Sequence, residues 1–254
     1  MMWGQQVPPV RPRTERTIDN MLSVSVYYWR PDQGRPGFFA GTRTTTTVSQ
    51  RFDMASASRA NGAVITLPTK GFNRLEIGYW DTKASGSSRA PQALNLFGAN
   101  VKKNELVASR YQIRNFRLTW NYLTFPVPAL AAKLRVKTFW EVQHTRIKPT
   151  LTFPESNSPD ATVGPTQSIT FPGVGVGLEY VPSSRFRMET RISGLALPGK
   201  SRYVDGEASA VGSIGKLELY GGVKGFHFRT SPNSEAYQQA TIWGPMFGVR
   251  WVFR

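Results

Sequence analysis

An antiparallel, all-β, up-and-down barrel of about ten strands that crosses a membrane is the fold the sequence predicts, and three observations predict it. Apolar and polar or ionic residues alternate with a period of two in segment after segment, the mark of strands whose two faces meet different surroundings. Connections alternate between short ones, at Pro68, Pro126, Pro182 and Gly215, and mostly longer polar ones, at Gln33, Lys83, Lys148, Pro198 and Ser231. The last dozen residues place Phe247, Val249, Trp251 and Phe253 on one face and Met246, Gly248, Arg250 and Val252 on the other, which suits a strand with lipid on its outside.

Composition narrows the class. Hydrophobic residues reach only 40% of 254, and no run of about 18 apolar residues exists to form a membrane helix. A strand needs no such run. The absence of cysteine excludes disulfides, zinc fingers and thiol catalysis. Lys plus Arg outnumber Asp plus Glu by 32 to 16, a net charge of +16, which calls for a polyanion nearby, such as nucleic acid or lipopolysaccharide phosphates, an acidic surface, or simple tolerance of the charge. The chain divides into a basic, proline-containing arm over residues 1–17 and one barrel domain over 18–254.

Each element has its own pattern. Leu22, Val24, Val26 and Tyr28 alternate with Ser23, Ser25, Tyr27 and Trp29 before Arg30-Pro31-Asp32 ends the first strand. From Gln33 to Arg59 glycine, threonine, serine and arginine predict a long loop with β extensions over Thr42 to Phe52. Ala63, Val64, Ile65 and Leu67 form a short return strand that ends at a turn over Pro68 to Gly71. Leu75, Ile77 and Tyr79 then oppose Arg74, Glu76, Gly78 and Trp80, and a polar connection runs from Lys83 to Asn104. Phe116, Leu118, Trp120 and Tyr122 oppose Asn115, Arg117, Thr119 and Asn121. After Phe125-Pro126-Val127-Pro128, the residues Leu134, Val136, Thr138, Trp140 and Val142 oppose Arg135, Lys137, Phe139, Glu141 and Gln143.

The second half repeats the scheme. Val174, Val176, Leu178 and Tyr180 oppose Gly173, Gly175, Gly177 and Glu179, a face small enough for a neighbouring chain to approach closely. Phe186, Met188, Thr190 and Ile192 oppose Arg187, Glu189, Arg191 and Ser193, and Val204, Ala208 and Ala210 oppose Asp205, Glu207 and Ser209. Gly215-Lys216 is a two-residue hairpin turn. It leads to Leu217, Leu219, Gly221 and Val223 against Glu218, Tyr220, Gly222 and Lys224, and then to the terminal strand.

Summed over the strands, the ionic faces nearly cancel: Glu76, Glu141, Glu179, Glu189, Asp205, Glu207 and Glu218 are seven acids, and Arg74, Arg117, Arg135, Lys137, Arg187, Arg191, Lys224 and Arg250 are eight bases. Near-neutrality is what a narrow barrel interior requires, since a buried charge without a partner is costly. These residues are the expected lumen network. The surplus of positive charge then falls on the arm and the connections, with Arg35, Arg43, Arg51, Arg59, Lys102 and Lys103 as the expected polyanion-binding positions. Aromatics near strand ends, among them Tyr28, Trp29, Tyr79, Trp80, Trp120, Tyr122, Trp140, Tyr180 and Trp251, are read as belts at the membrane surfaces.

No catalytic constellation emerges. His144 and His227 are the two histidines, and neither has a neighbour at metal-ligand spacing, so both are read as structural and no metal or cofactor is expected. His227, Ser231 and Glu235 are residue types of a serine hydrolase, yet their spacing does not fit the barrel lipid A deacylases, and no Asp-Asp or Asp-His pair matching the omptin proteases is evident. Gly173, Gly175 and Gly177 do not cradle phosphate, because no helix follows them.

The terminal strand, with its alternating apolar residues and the penultimate aromatic Phe253 ahead of Arg254, resembles the C-terminal strand of bacterial outer-membrane β-barrels. The likeness in architecture spans about Ile18 to Arg254. It implies a Gram-negative outer-membrane location with both termini in the periplasm, recognition of the last strand by the insertion machinery, and membrane lipid and lipopolysaccharide as neighbours of the basic connections. Met1 to Arg16 carries no apolar core of secretory length, so an exported chain is expected to have lost its signal or to carry it outside this sequence. A second reading takes the same arm as the RNA-neutralising tail of a capsid-type or other nucleic-acid-binding β protein.

Overall fold

The computed structural model describes residues 21–31, 37–44, 47–54, 56–69, 73–126, 133–155, 162–196, 201–231 and 236–253. In chain order the strands are β1 (Leu22–Trp29), β2 (Gly37–Thr44), β3 (Thr47–Asp53), β4 (Ala60–Pro68), β5 (Arg74–Arg89), β6 (Leu94–Leu96), β7 (Ala99–Val101), β8 (Leu106–Pro126), β9 (Leu134–Thr152), β10 (Thr162–Val163), β11 (Gln167–Ser183), β12 (Phe186–Ala196), β13 (Arg202–Ile214), β14 (Leu217–Arg229) and β15 (Ala236–Phe253). Ten of them close a barrel in the order β1-β4-β5-β8-β9-β11-β12-β13-β14-β15, with β15 returning to pair with β1 from Leu22↔Phe253 to Trp29↔Met246. Within these ten strands every pairing is antiparallel between neighbours of the ring, which excludes the two-sheet jelly roll that a capsid-type protein would have.

The alternation dictates which side faces out. Phe116, Leu118 and Trp120 on β8, Val174, Val176 and Leu178 on β11, and Phe247, Val249, Trp251 and Phe253 on β15 stand on the outer surface. A band of exposed apolar side chains around a closed sheet is stable against lipid and unfavourable against water. The turn predicted to end at Gly71 and the residues Val127-Pro128 lie outside the described residues; the strand ends that the short connections join, β4 to β5, β8 to β9, β11 to β12 and β13 to β14, lie at one end, with turns over residues 184–185 and 215–216. Gly215 takes φ 62° in the last of them, a left-handed conformation that glycine adopts without a Cβ clash. Both ends of the described barrel, Leu22 and Phe253, sit at this same end.

The longer connections carry structure of their own, and here the expectations need correcting. The stretch from Gln33, read as a loop with β extensions over Thr42 to Phe52, has them as a hairpin, β2 paired with β3, and β2 starts earlier than expected and extends the sheet alongside the start of β15 from Thr42↔Ala236 to Gly37↔Thr241. The polar segment from Lys83 is strand as far as Arg89, and β8 begins at Leu106, ahead of the predicted apolar alternation. β9 likewise runs to Thr152. A span needs about 9–11 tilted residues, whereas β5, β8, β9 and β11 have 16, 21, 19 and 17. Those four strands therefore form a tall wall that continues beyond the apolar band. There the outer face is polar: on β8 and β9 the contrast is inverted, with Tyr111, Ile113 and Ile147 buried beside exposed Arg110, Arg114 and Arg146, and on β5 it is lost over Ser85 to Ser88. The predicted arm, Arg35, Glu235 and Arg254 lie outside the described residues.

Candidate functional site: a filled lumen

Inward-facing residues of the ten strands build three layers. The first, at the short-turn end and middle, is ionic and gathers all fifteen charged residues named from the sequence. On β12, Arg187 meets the Glu218 carboxylate of β14 through both terminal nitrogens at 2.6 Å and also pairs with Glu189. Arg250 on β15 reaches Glu218 at 3.2 Å and Glu189 at 3.3 Å, and Lys137 and Arg135 on β9 flank Glu179. Higher up, Arg191 spans the barrel from Glu76 at 2.8 Å to Glu141 at 3.3 Å, while Arg74 holds the second oxygen of Glu76 at 2.7 Å. Asp205 lies between Arg117 at 3.2 Å and Lys224 at 3.0 Å, and Lys224 extends to Glu207 at 3.3 Å. Gln143 joins the last two groups by donating to Glu141 and to Asp205.

Charges of opposite sign therefore alternate through the interior, and each buried one has a partner. That is the condition under which ions tolerate removal from water. Small residues make the room. A Cβ at Gly173 would collide with the Tyr203 hydroxyl and one at Gly175 with the Phe139 ring, and those aromatics occupy the space instead. Tyr203 then donates to Glu141 at 2.9 Å, and the Arg191 guanidinium lies 4.7 Å from the Phe139 ring centre. Between the charges a cavity of about 80 Å³ remains, lined by Ser25, Arg74, Glu76, Arg117, Lys137 and Arg250 among others. It has room for a few waters.

A thin neutral layer follows, in which Asn115 donates to Gln143 at 2.9 Å and to Thr145 at 2.8 Å. Above it the lumen is closed by an apolar layer. Trp29 packs edge-on against Trp80 at 5.5 Å, Trp80 against Phe226 at 5.2 Å, and Phe38 of the β2–β3 hairpin stacks on Tyr111 at 4.6 Å. Phe52, Met54, Ala57, Ile113, Ile147 and Phe228 fill the rest. The sequence reading put Trp29 and Trp80 in a membrane-surface belt; both point inward and are buried, while their neighbours Tyr28 and Tyr79, with Trp120, Trp140, Tyr180 and Trp251, face out. Adjacent residues of one strand must point to opposite faces, which is the signal that would have separated the two sets. The side chain of Tyr122 lies outside the described residues.

The histidines play no part in the lumen. His144 shares a hydrogen bond with Thr170 at 2.9 Å and His227 with Thr241 at 2.8 Å. Among the described residues no group of three or more acids or histidines could hold a metal.

Outside the lumen, the cations expected in connections are distributed differently. Lys83, Arg146, Lys148 and Arg202 stand on strands, on the outer wall above the apolar band, together with Arg110, Arg114 and Arg229, which the sequence reading did not single out. Extending the parity of Phe116 backwards through Arg114, Gln112 and Arg110 would have found the first two, and extending that of Val223 forwards on β14 the third. Arg89 is tied by both terminal nitrogens to Glu155, which also accepts from the Leu106 amide. Of the expected polyanion-binding positions, Arg59, Lys102 and Lys103 are exposed on two separate segments; Arg43 and Arg51 lie on β2 and β3, their side chains outside the described residues.

The outer-membrane protease OmpT of Escherichia coli has a solved structure that superposes at a TM-score of 0.56, with 10% identity, over 92% of this chain and 97% of that one. This is an outer-membrane barrel fold. At such identity the likeness concerns the fold alone. The attachment invasion locus protein Ail of Yersinia pestis (9% identity, 91% and 97% covered, TM-score 0.38) and the Pseudomonas putida toluene transporter TodX (6%, 92% and 89%, 0.29) are also matched, at scores that carry no argument. No family model and no curated protein sequence matches the chain.

Proposed function

We propose that this protein is a closed barrel of the bacterial outer membrane that serves as a structural or surface-binding element, with passage through its lumen limited to small ions. The observation that carries this reading is the pair of stoppers in series, a charge-paired network with Gln143 as a bridge and an aromatic layer anchored by Phe38. A large solute would have to separate several buried ion pairs and displace the hairpin at once. Ten strands give a bore only slightly wider than the eight-stranded size that side chains fill, so the interior is better suited to holding the wall rigid than to conducting. What the barrel presents is then its outer surface and its long connections, the usual carriers of recognition. Its partners on this reading are membrane lipid, lipopolysaccharide above all, and during assembly the machinery that receives the apolar terminal strand.

Purified barrel in planar bilayers decides the matter. The expected record is a silent membrane or small flickering currents, whereas a steady conductance of porin size would refute the closed lumen.

A further inference from the structure

Above the apolar band, the tall wall of β5, β8 and β9 carries a dense group of cations. The strand register sets them in rows. Asp81, Arg114 and Arg146 are direct cross-strand neighbours, as are Lys83, Gln112 and Lys148 in the row above, with Arg110 opposite Ser85 and Thr150 beyond. All five cations are exposed on the outer face. They number five against the single acid Asp81, and among the described residues none of them makes an ion pair, Arg114 facing only the amide oxygen of Gln112, although the lumen below pairs every charge. Arg114 stands directly opposite Arg146. Like charges in that relation destabilise a sheet, so the arrangement is unfavourable unless an anion comes between them. A second instance occurs round the barrel, where Arg202 is directly opposite Arg229 on β13 and β14.

Their height is as informative as their charge. Phe116 and Tyr79 form the top of the apolar band on these strands, and Arg114 is the next outward residue on β8. Two residues of a strand advance roughly 6.6 Å, or about 5 Å along the barrel axis at the usual tilt. The guanidinium groups therefore stand at headgroup depth, where aromatic side chains give way to polar ones. From these two facts we infer that the β5–β8–β9 wall is a binding site for a phosphorylated lipid of the outer leaflet, with Arg114 and Arg146 bridged by a phosphate and Lys83, Arg110 and Lys148 above them. Arginine meets phosphate through two parallel hydrogen bonds. The ligand's acyl chains would lie against Tyr79, Phe116 and Trp120. A free phosphate would have no use for that apolar neighbour, which is why the source is the lipid. This inference rests on the membrane reading above and narrows its partner to one wall.

The full chain, refolded and inserted into phosphatidylcholine nanodiscs doped with diphosphoryl lipid A, supplies the test. After extraction, the lipid A carried by each barrel is counted by mass spectrometry for the wild type, for Arg114→Gln with Arg146→Gln, and for Lys102→Gln with Lys103→Gln, which removes the same charge from a connection. The wall variant should retain lipid A about tenfold or more weakly, the connection variant within about twofold of wild type, and inorganic phosphate should not displace the lipid. Equal losses in the two variants, no loss in the wall variant, or displacement by inorganic phosphate would each overturn the site while leaving an inserted barrel, and thus the membrane reading, intact. Failure of the wild type to enter nanodiscs would reject both together.

Discussion

Replacing Asp205 by Asn probes whether the ion pairs of the lumen are dry. Asp205 holds Arg117 at 3.2 Å and Lys224 at 3.0 Å, and the three side chains are 2%, 7% and 1% exposed. Asparagine keeps the shape and removes the charge. Arg117 then has no acid within ion-pair reach in the recorded pairs, and Lys224 keeps only Glu207, so two buried cations share one acid. Breaking a buried pair from one side costs about 3–5 kcal/mol, most of it the uncompensated charge left behind. The companion double variant, Asp205→Asn with Lys224→Met, leaves Arg117 and Glu207 as one cation and one acid, so the group is again neutral, and it should recover part of that loss. Glu207→Gln is the control: its side chain is 26% exposed, and a solvent-screened partner is worth about 1 kcal/mol or less. Urea unfolding from lipid vesicles, followed by tryptophan fluorescence and by heat-modifiable migration, supplies the free energies. A cost below about 1 kcal/mol for Asp205→Asn would mean that water reaches the pair from the cavity beside it, and the reasoning from burial would fail.

Two further outcomes follow from the faces of the strands. Val176 stands outward at the middle of the apolar part of β11, so Val176→Arg should lower stability by about 2–4 kcal/mol, against about 0–1 for Thr170→Arg above the band; equal costs in urea unfolding would contradict the placement of the membrane. Single-tryptophan chains should show Trp120 and Trp140 quenched by brominated lipid tails, and Trp29 and Trp80 protected. Quenching of Trp80 to the level of Trp120 would reverse its assigned face.

The lipid-level part of the molecule was legible because each strand there separates two unlike surroundings. Leu118 and Arg117, or Leu178 and Glu179, differ so sharply in hydropathy that the parity of one fixes its neighbour, and the whole ionic set could be named from parity alone. At the end of β5, outside the band, the contrast fades. Ser85, Gly86, Ser87 and Ser88 continue β5 with water available to both faces, and nothing in their order distinguishes strand from loop. The apolar stopper was hidden for a different reason. Trp29 beside Tyr28 and Trp80 beside Tyr79 read as aromatic clusters at a strand end, and only strict alternation assigns one member of each pair to the lumen. The β2–β3 hairpin that contributes Phe38 depends on a partner, β15, almost two hundred residues away, a distance that local patterns do not cross.

The seam between the first and last strands has a consequence for assembly. At lipid level it consists of eight residue pairs, Leu22↔Phe253 through Trp29↔Met246, each joining positions more than two hundred residues apart. Above them β15 is partnered by β2 instead. Contacts this distant in sequence form late, because the chain between must first be ordered, so the cylinder stays an open curl until its final strand is in place. Among the described residues closure happens at this one seam, because the path above it runs from β15 to β2 and ends at β3. Were the eight pairs to part, the hairpin would stay on β15 alone, and the wall would open sideways toward lipid along its whole height.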